Sequence, residues 1–528
     1  MAATMNSSPW MWAVVGVAAV TGLTTYEYWD RAIGTRKRND IPKLPKHLTT
    51  PMLGNAPAVL KRFTTDHLDA LNEKRKMIGN VWLLSLPGRQ MVITYNVADV
   101  ECIMKDPYLF VKGEASHKMV FPFFGHGIFA VDGEEWKIQR KTGSNIFTVK
   151  NFKDHFGPVF LEESDLMCKH MSESASQNLP IDMQDLLLRC TIDGFARIAL
   201  GTDVQALRTQ GSNVNGKYRL PDVDFMIAFD GLLAILTKRF INPLYHISEM
   251  FDGTYGEILK HKSVLDEFAL KMIRERTEKP LDKDRLSRPM DLLDFFLAAE
   301  VDANSEEYLR DVMLNYIIAG RDTTAQTCSW LLWEVAKHPH VEERLREEFT
   351  RILGDGPLDY SNLKDMRFSV AVWHETLRLH GNVPNAIRVA TDDVTLPSGT
   401  KLLKGDIVQW SSWCMARNEE IWGEDANEFK PERWLNEEGN LIRVSQYQWP
   451  VFNCGPRICL GMNMATHEAL ILMSDIYRRF HLELVNEDDK SKWGVWNEDP
   501  AKRRGRYGLG VTLSMRGGVE FKVHHVSK

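Results

Sequence analysis

The sequence predicts a mainly α-helical body with small β-sheets, joined to a membrane anchor at its N-terminus. Three observations carry this. One helical pattern runs from about Glu306 to Lys337 and stops before Pro339. At 1.5 Å per residue it measures roughly 45–50 Å, enough to cross a whole domain. Strand signals are short and fall at residues 80–96, near 392–407 and after Arg506. The opening residues hold an apolar run unlike anything that follows.

That run, PWMWAVVGVAAVTGLTTYEYW (Pro9 to Trp29), has one charge, Glu27. It has the roughly 20 residues a tilted spanning helix needs. Trp10, Trp12, Tyr26, Tyr28 and Trp29 mark its edges as interfacial aromatics do, and Arg31, Arg36, Lys37 and Arg38 follow at once. This favours a body on the cytosolic side. A cleaved signal peptide would carry a basic region before the apolar run, and none is present. Seven cysteines scattered singly, with no CxxC pair, also fit reduced thiols. Residues 1–30 are therefore expected to anchor the chain.

Residues 31–57 are basic and contain four prolines. They predict a stiff, extended hinge, with the body at 58–528. NVWLLSLPGRQMVITYN (80–96) predicts two strands around a Pro-Gly turn. Helical patterns dominate from Ala98 to about Thr350, and residues 208–219 and 278–288 read as surface loops. The chain is 44% hydrophobic and 26% charged with a net charge of −6. This is ordinary globular composition and gives no sign of a nucleic-acid binder.

FNCGPRICLG (Phe452 to Gly461) places Cys454 and Cys459 among glycines and Arg457. Two cysteines five apart could be half of a zinc site or simply buried thiols. No second Cys or His pair at ligand spacing lies nearby. Gly455 and Gly461 would let the backbone approach a flat ligand. Cys459 precedes a predicted helix, whose free N–H groups favour a thiolate. The pattern Phe452-x-x-Gly455-x-Arg457-x-Cys459-x-Gly461 resembles the haem-binding signature of the cytochrome P450 superfamily. The resemblance implies the cytochrome P450 fold, with a long central helix over a haem, haem b (iron protoporphyrin IX) as cofactor and Cys459 as its axial iron ligand. Cys454 falls where the family has a small residue and is expected to be a packing thiol.

Further motifs acquire meaning from this resemblance. Ala319 to Thr324 is a polar insertion between apolar stretches of the long helix, and buried polar groups there are costly without a purpose. It resembles the family's oxygen-activation motif, which implies that Asp322 and Thr323 deliver protons during O2 activation. Glu375 and Arg378, three apart on a helix, resemble the ExxR motif, with Arg433 of FKPERW as partner; the implied role is structural. Trp136 and Arg140 share a helix face at i and i+4. With Arg388, they match the family's haem-propionate contacts. LHGNVP (379–384) departs from the proline-rich run usual after ExxR.

GHGIFAVDGEEWKIQRK, MARNEEIWGEDANEFKPERW and VTLSMRGG resemble the branch of fatty-acid and alkane hydroxylases. The resemblance implies hydroxylation of a long-chain fatty acid at or near its terminal carbon. MVFPFFGHGIF (119–129) and YGLGVTLSM (507–515) are expected to wall the substrate channel. Alanine at 319 cannot esterify a haem, so non-covalent haem is expected apart from the cysteine–iron bond. The alternatives are a sterol or xenobiotic hydroxylase, a hydroperoxide isomerase or dehydratase, and a non-enzymatic haem carrier. No flavin or iron–sulfur domain follows Cys459. Electrons are therefore expected from NADPH–cytochrome P450 reductase at the endoplasmic reticulum, with cytochrome b5 as a second candidate donor, docking near Lys137 and Lys141.

Overall fold

The computed structural model describes residues 28–526 apart from 241, 243, 279–289 and 300–304. The long helix spans Glu306–Lys337; the Ser305 side chain caps its start by accepting from Tyr308 N–H, and it ends at His338, before Pro339. Its middle is buried on nearly all sides, from Val312 and Met313 through Trp330 and Leu331. That is how a helix through the centre of a body must be built. It packs along the helix Met183–Leu200. Gly320 lets the two approach closely: a Cβ there would stand 2.0 Å from the Phe195 ring.

The first sheet has five strands in the order Val81–Leu86, Arg89–Thr94, Ile407–Ser411, Asn385–Ala390 and Phe110–Val111. The first two form the hairpin around Pro87-Gly88. The second sheet joins Phe480–Val485, Glu520–His525, Ile181–Asp182, Lys217–Arg219 and Ser212–Val214. Residues 208–219 are thus not a plain loop. Asn215 and Gly216 both adopt positive φ (53° and 78°), as a two-residue hairpin turn requires. The buried Tyr218 ties this hairpin to Ile181 in register. The Asn-Gly pair was the available signal. Of the other expected loop, residues 279–289 lie outside the described residues.

Among the described residues no helix is long and apolar enough to cross a membrane. Of the expected anchor, 1–30, residues 1–27 lie outside the described residues. The segment 31–57 differs from a free hinge because it is fastened to the first sheet. Ala32 N–H donates to Ser85 Oγ at 3.0 Å, and Leu83 N–H to Pro42 O at 2.8 Å. Arg38 is buried and pairs with Asp406 at 2.6 Å. A chain starting at Tyr28 is expected to unfold at a higher temperature than one starting at Ile41. The shorter chain leaves Asp406 without either arginine partner, Arg36 or Arg38, a loss on the order of 3 kcal/mol where the pair is buried. Equal thermal midpoints for the two chains would contradict this fastening.

Candidate active site

The cysteine loop is shaped by backbone geometry. Asn453 and Gly455 have positive φ, and a Cβ on Gly455 would meet Met104 O at 2.4 Å. Cys459 N–H closes the turn on Phe452 O at 2.8 Å. Gly461 then caps the helix Met462–Arg479. The Cys459 side chain is exposed onto a cavity of about 510 Å³. Burial pushes its thiol up, while the Gly461 N–H and the nearby Arg140 pull it back toward the thiolate. Cys454 is fully buried, does not line the cavity and is pushed up to about 12 by burial.

Five cations line the same cavity: Arg89, Lys112, Arg140, Arg388 and Arg457. Arg140 donates to Ile458 O at 2.7 Å. Arg457 pairs with Asp132 at 2.5 Å and lies over the Trp136 ring at 4.3 Å, with its buried Nε unpartnered among the described residues. Burial and the neighbouring Arg457 push Arg388 down to about 10. Burial, with Arg457 and Arg388 beside it, drives Lys112 well below the ordinary lysine range. Phe452 and Gly461 also line the cavity. Such crowding of positive charge calls for an anionic occupant.

In the long helix Thr323 lines the cavity, and its hydroxyl donates back to Ala319 O at 2.7 Å. This is the back-bond by which a threonine loosens a helix. Asp322 does not line the cavity. Its carboxylate accepts from Arg321 at 2.9 Å and from Thr512 Oγ1 at 3.2 Å, and burial pushes it up to about 6. Arg321 also pairs with Asp230 at 2.6 Å. The two residues expected to serve O2 activation are therefore adjacent in the chain but face different surroundings.

Glu375, Arg378 and Arg433 meet in the interior. Arg378 holds Glu375 in a two-point bond, both contacts at 2.8 Å, with neither side chain exposed. Arg433 reaches the same carboxylate at 2.9 Å, and Trp434 Nε1 donates to it at 3.0 Å. Arg378 also donates to the carbonyls of Ala416, Ala426 and Glu428. In the departing segment 379–384, His380 lies flat on Trp330, with centroids 4.2 Å apart, and its Nε2 is 2.7 Å from Glu334 Oε1. These contacts fix the loop without the usual prolines.

The cytochrome P450 family model matches residues 42–499. The chain belongs to the cytochrome P450 family. It is a monooxygenase, an oxidoreductase that incorporates oxygen, and P450s use haem b with a cysteine thiolate on the iron. "Cytochrome P450 monooxygenase cyp1" of Mycosarcoma maydis is 34% identical over 490 residues, covering 90% of this chain and 74% of that one. "Cytochrome P450 94A2" of Vicia sativa is 30% identical, covering 87% and 91%. "Cytochrome P450 86B1" of Arabidopsis thaliana is 31% identical, covering 77% and 74%. The residues present fit haem b. An open sulfur, a glycine beside it and a cluster of cations suit a flat dianion whose metal takes a thiolate.

This P450 also holds functional candidates that motif reading missed. Lys112 and Arg89 line the cavity, and Thr512 contacts Asp322. None stands at a telling spacing from a motif. Of the two expected channel stretches, 119–129 supplies Met119, Val120, Ile128 and Phe129 to the wall, while 507–515 supplies nothing. The second stretch lies behind the wall because its groups bond elsewhere: Tyr507 OH to Asp69, and Thr512 to Asp322.

Proposed function

We propose that this P450 hydroxylates a long-chain fatty acid at or near its methyl end. The observation that carries the reading is Arg89. It stands just after the Pro87-Gly88 turn and lines the same cavity as Cys459. Burial lowers its basicity, and no acid pairs with it among the described residues. A cation with no acid beside it, in a cavity also lined by Met119, Val120, Ile128, Phe129 and Phe240, suits an apolar chain that ends in a carboxylate. A substrate held there by its head presents its far end toward Cys459. The resemblance of three segments to fatty-acid and alkane hydroxylases points the same way.

The site residues then take these roles. Haem b supplies the iron at which O2 is activated. Cys459 provides the thiolate, with Phe452 and Gly461 beside it and the Gly461 N–H tuning the sulfur. Trp136, Arg140 and Arg388 hold the propionates, joined by Arg457 and Lys112. Asp322 and Thr323 move protons toward the reacting oxygen. Glu375, Arg378 and Arg433 lock the core, a structural task.

The proposed setting is the endoplasmic reticulum membrane, with residues 1–30 as anchor and 58–528 as the haem domain. Phe240 lines the cavity, and the helix just after it, Tyr245–Phe251, exposes Met250 (73%) and Phe251 (83%). The turn before Arg89 is bonded to Ile33, and Ile33 and Leu53 are exposed. Apolar surface on both sides of the cavity suits lipid contact. The proposed electron donor is NADPH–cytochrome P450 reductase, with cytochrome b5 as a second donor, docking near the exposed Lys137 and Lys141.

The test compares saturated acids, their methyl esters, the matching alkanes and a sterol, with reductase and NADPH, locating the hydroxyl by mass spectrometry. Arg89→Gln is expected to weaken binding of the acid by about 10-fold or more, the value of a charge-assisted hydrogen bond. Binding of the ester and the alkane should stay unchanged. Turnover confined to sterols or other ring compounds would end the fatty-acid reading. An equal loss for acid and alkane would remove Arg89 from recognition.

A further inference from the structure

The C-terminal stretch 507–515 misses the cavity but touches the acid of the oxygen-activation motif. Its loop is fastened at several points. Leu513 N–H donates to Asn382 O at 2.9 Å, and Trp330 Nε1 donates to Leu513 O at 2.9 Å. Gly510 lies against Thr237 of the helix Asp224–Arg239. Thr512, itself buried, points its hydroxyl at Asp322. Asn382 links the same loop to the long helix: its Nδ2 donates to the backbone carbonyl of Thr323 at 3.2 Å, and it lines the cavity.

We propose that Thr512 is a positioning residue for the oxygenation step: its hydroxyl holds the Asp322 carboxyl turned away from the cavity wall, so the C-terminal loop governs when that acid can pass a proton inward. This rests on the reading of Asp322 as a proton carrier. The charged and polar groups facing Asp322 come from three elements, and a fourth fixes the backbone beside it. Arg321 is its neighbour on the long helix, and Asp230 of the helix Asp224–Arg239 shares that guanidinium. Thr512 comes from the loop. On the helix Met183–Leu200, Thr191 donates to Arg321 O at 2.8 Å, fixing the backbone beside the acid.

The sign follows from the hydrogen bond. A hydroxyl that donates to a carboxylate favours the charged form, as Arg321 does, while burial and Asp230 favour the neutral one. The proton that leaves Asp322 inward leaves a carboxylate held by Arg321 and Thr512, and water later returns the proton. Without the Thr512 hydroxyl the carboxylate is less well held. The acid then keeps its proton to higher pH, and the side chain is freer to turn toward the cavity.

The experiment uses the full haem-loaded protein and three variants: Thr512→Val, Thr512→Ser and Asp322→Asn. The reduced carbon monoxide spectrum confirms that each is intact. Infrared difference spectra give the carboxylic-acid band of Asp322, identified by its loss in Asp322→Asn. In Thr512→Val this band is expected to persist about one pH unit higher than in the wild type. The pH profile of product formed per NADPH consumed should move the same way, and Thr512→Ser should restore both. A Thr512→Val band that titrates like the wild type overturns the proposal, and so does a Thr512→Ser protein that behaves like Thr512→Val. If Asp322→Asn leaves coupling unchanged, the proton role of Asp322 fails and this inference goes with it.

Discussion

Cys459→Ser is expected to abolish the thiolate signature in the reduced carbon monoxide spectrum, whereas Cys454→Ser retains it. The contrast comes from position. Both residues lie in one short loop, but only the Cys459 sulfur opens onto the cavity and has an N–H donor, from Gly461, beside its cation Arg140; Cys454 has Arg388 nearby and no such donor. Cys454 is buried with its thiol pushed up to about 12, so it stays protonated at working pH. A serine alcohol cannot push electron density onto iron as a thiolate does. Retention of the signature in Cys459→Ser, with loss in Cys454→Ser, would reverse the assignment.

Glu375→Ala is expected to cost on the order of 3–5 kcal/mol of stability, the typical result of removing one partner of a buried charge network. Arg378 and Arg433 would lose their shared counter-ion; Arg433 keeps Asp425, but Arg378 is buried too deeply for water to replace it. Trp434 Nε1 and Lys430 N–H would also lose their acceptor. The readout is the urea midpoint, taken beside Lys137→Ala as an exposed control, since Lys137 only pairs with Glu134 at the surface. A Glu375→Ala protein as stable as that control would mean the network contributes little to holding the core.

Much of the architecture was legible in the sequence because it follows from local rules. The long helix ends where a serine cap and a proline say it should, at Ser305 and before Pro339. The first hairpin turns at Pro87-Gly88. The Glu375 network was legible in part, since i and i+3 spacing puts Glu375 and Arg378 on one face, but Trp434 and the three carbonyls around Arg378 come from distant segments. The same limit hid Lys112, Arg89 and Thr512. A cation or alcohol acquires its meaning from what it faces, and no spacing within a segment records that. Asp322 shows the reverse case: its motif is plain in the chain, but its orientation depends on Thr512, 190 residues away. The attachment of the basic, proline-rich segment 31–57 was not legible for a related reason. Its composition describes its stiffness and says nothing of the sheet that receives it.

The contact between Gly320 and Phe195 has a consequence for protein engineering. With no room for a single methyl group between the two helices, position 320 cannot be varied by itself in a library meant to reshape the chamber. Any larger residue there must first displace a buried aromatic ring, and most members of such a library would be lost to misfolding before their selectivity could be read. Varied jointly with Phe195, the same position becomes a lever on helix spacing, with the smaller ring partner making room for the larger side chain.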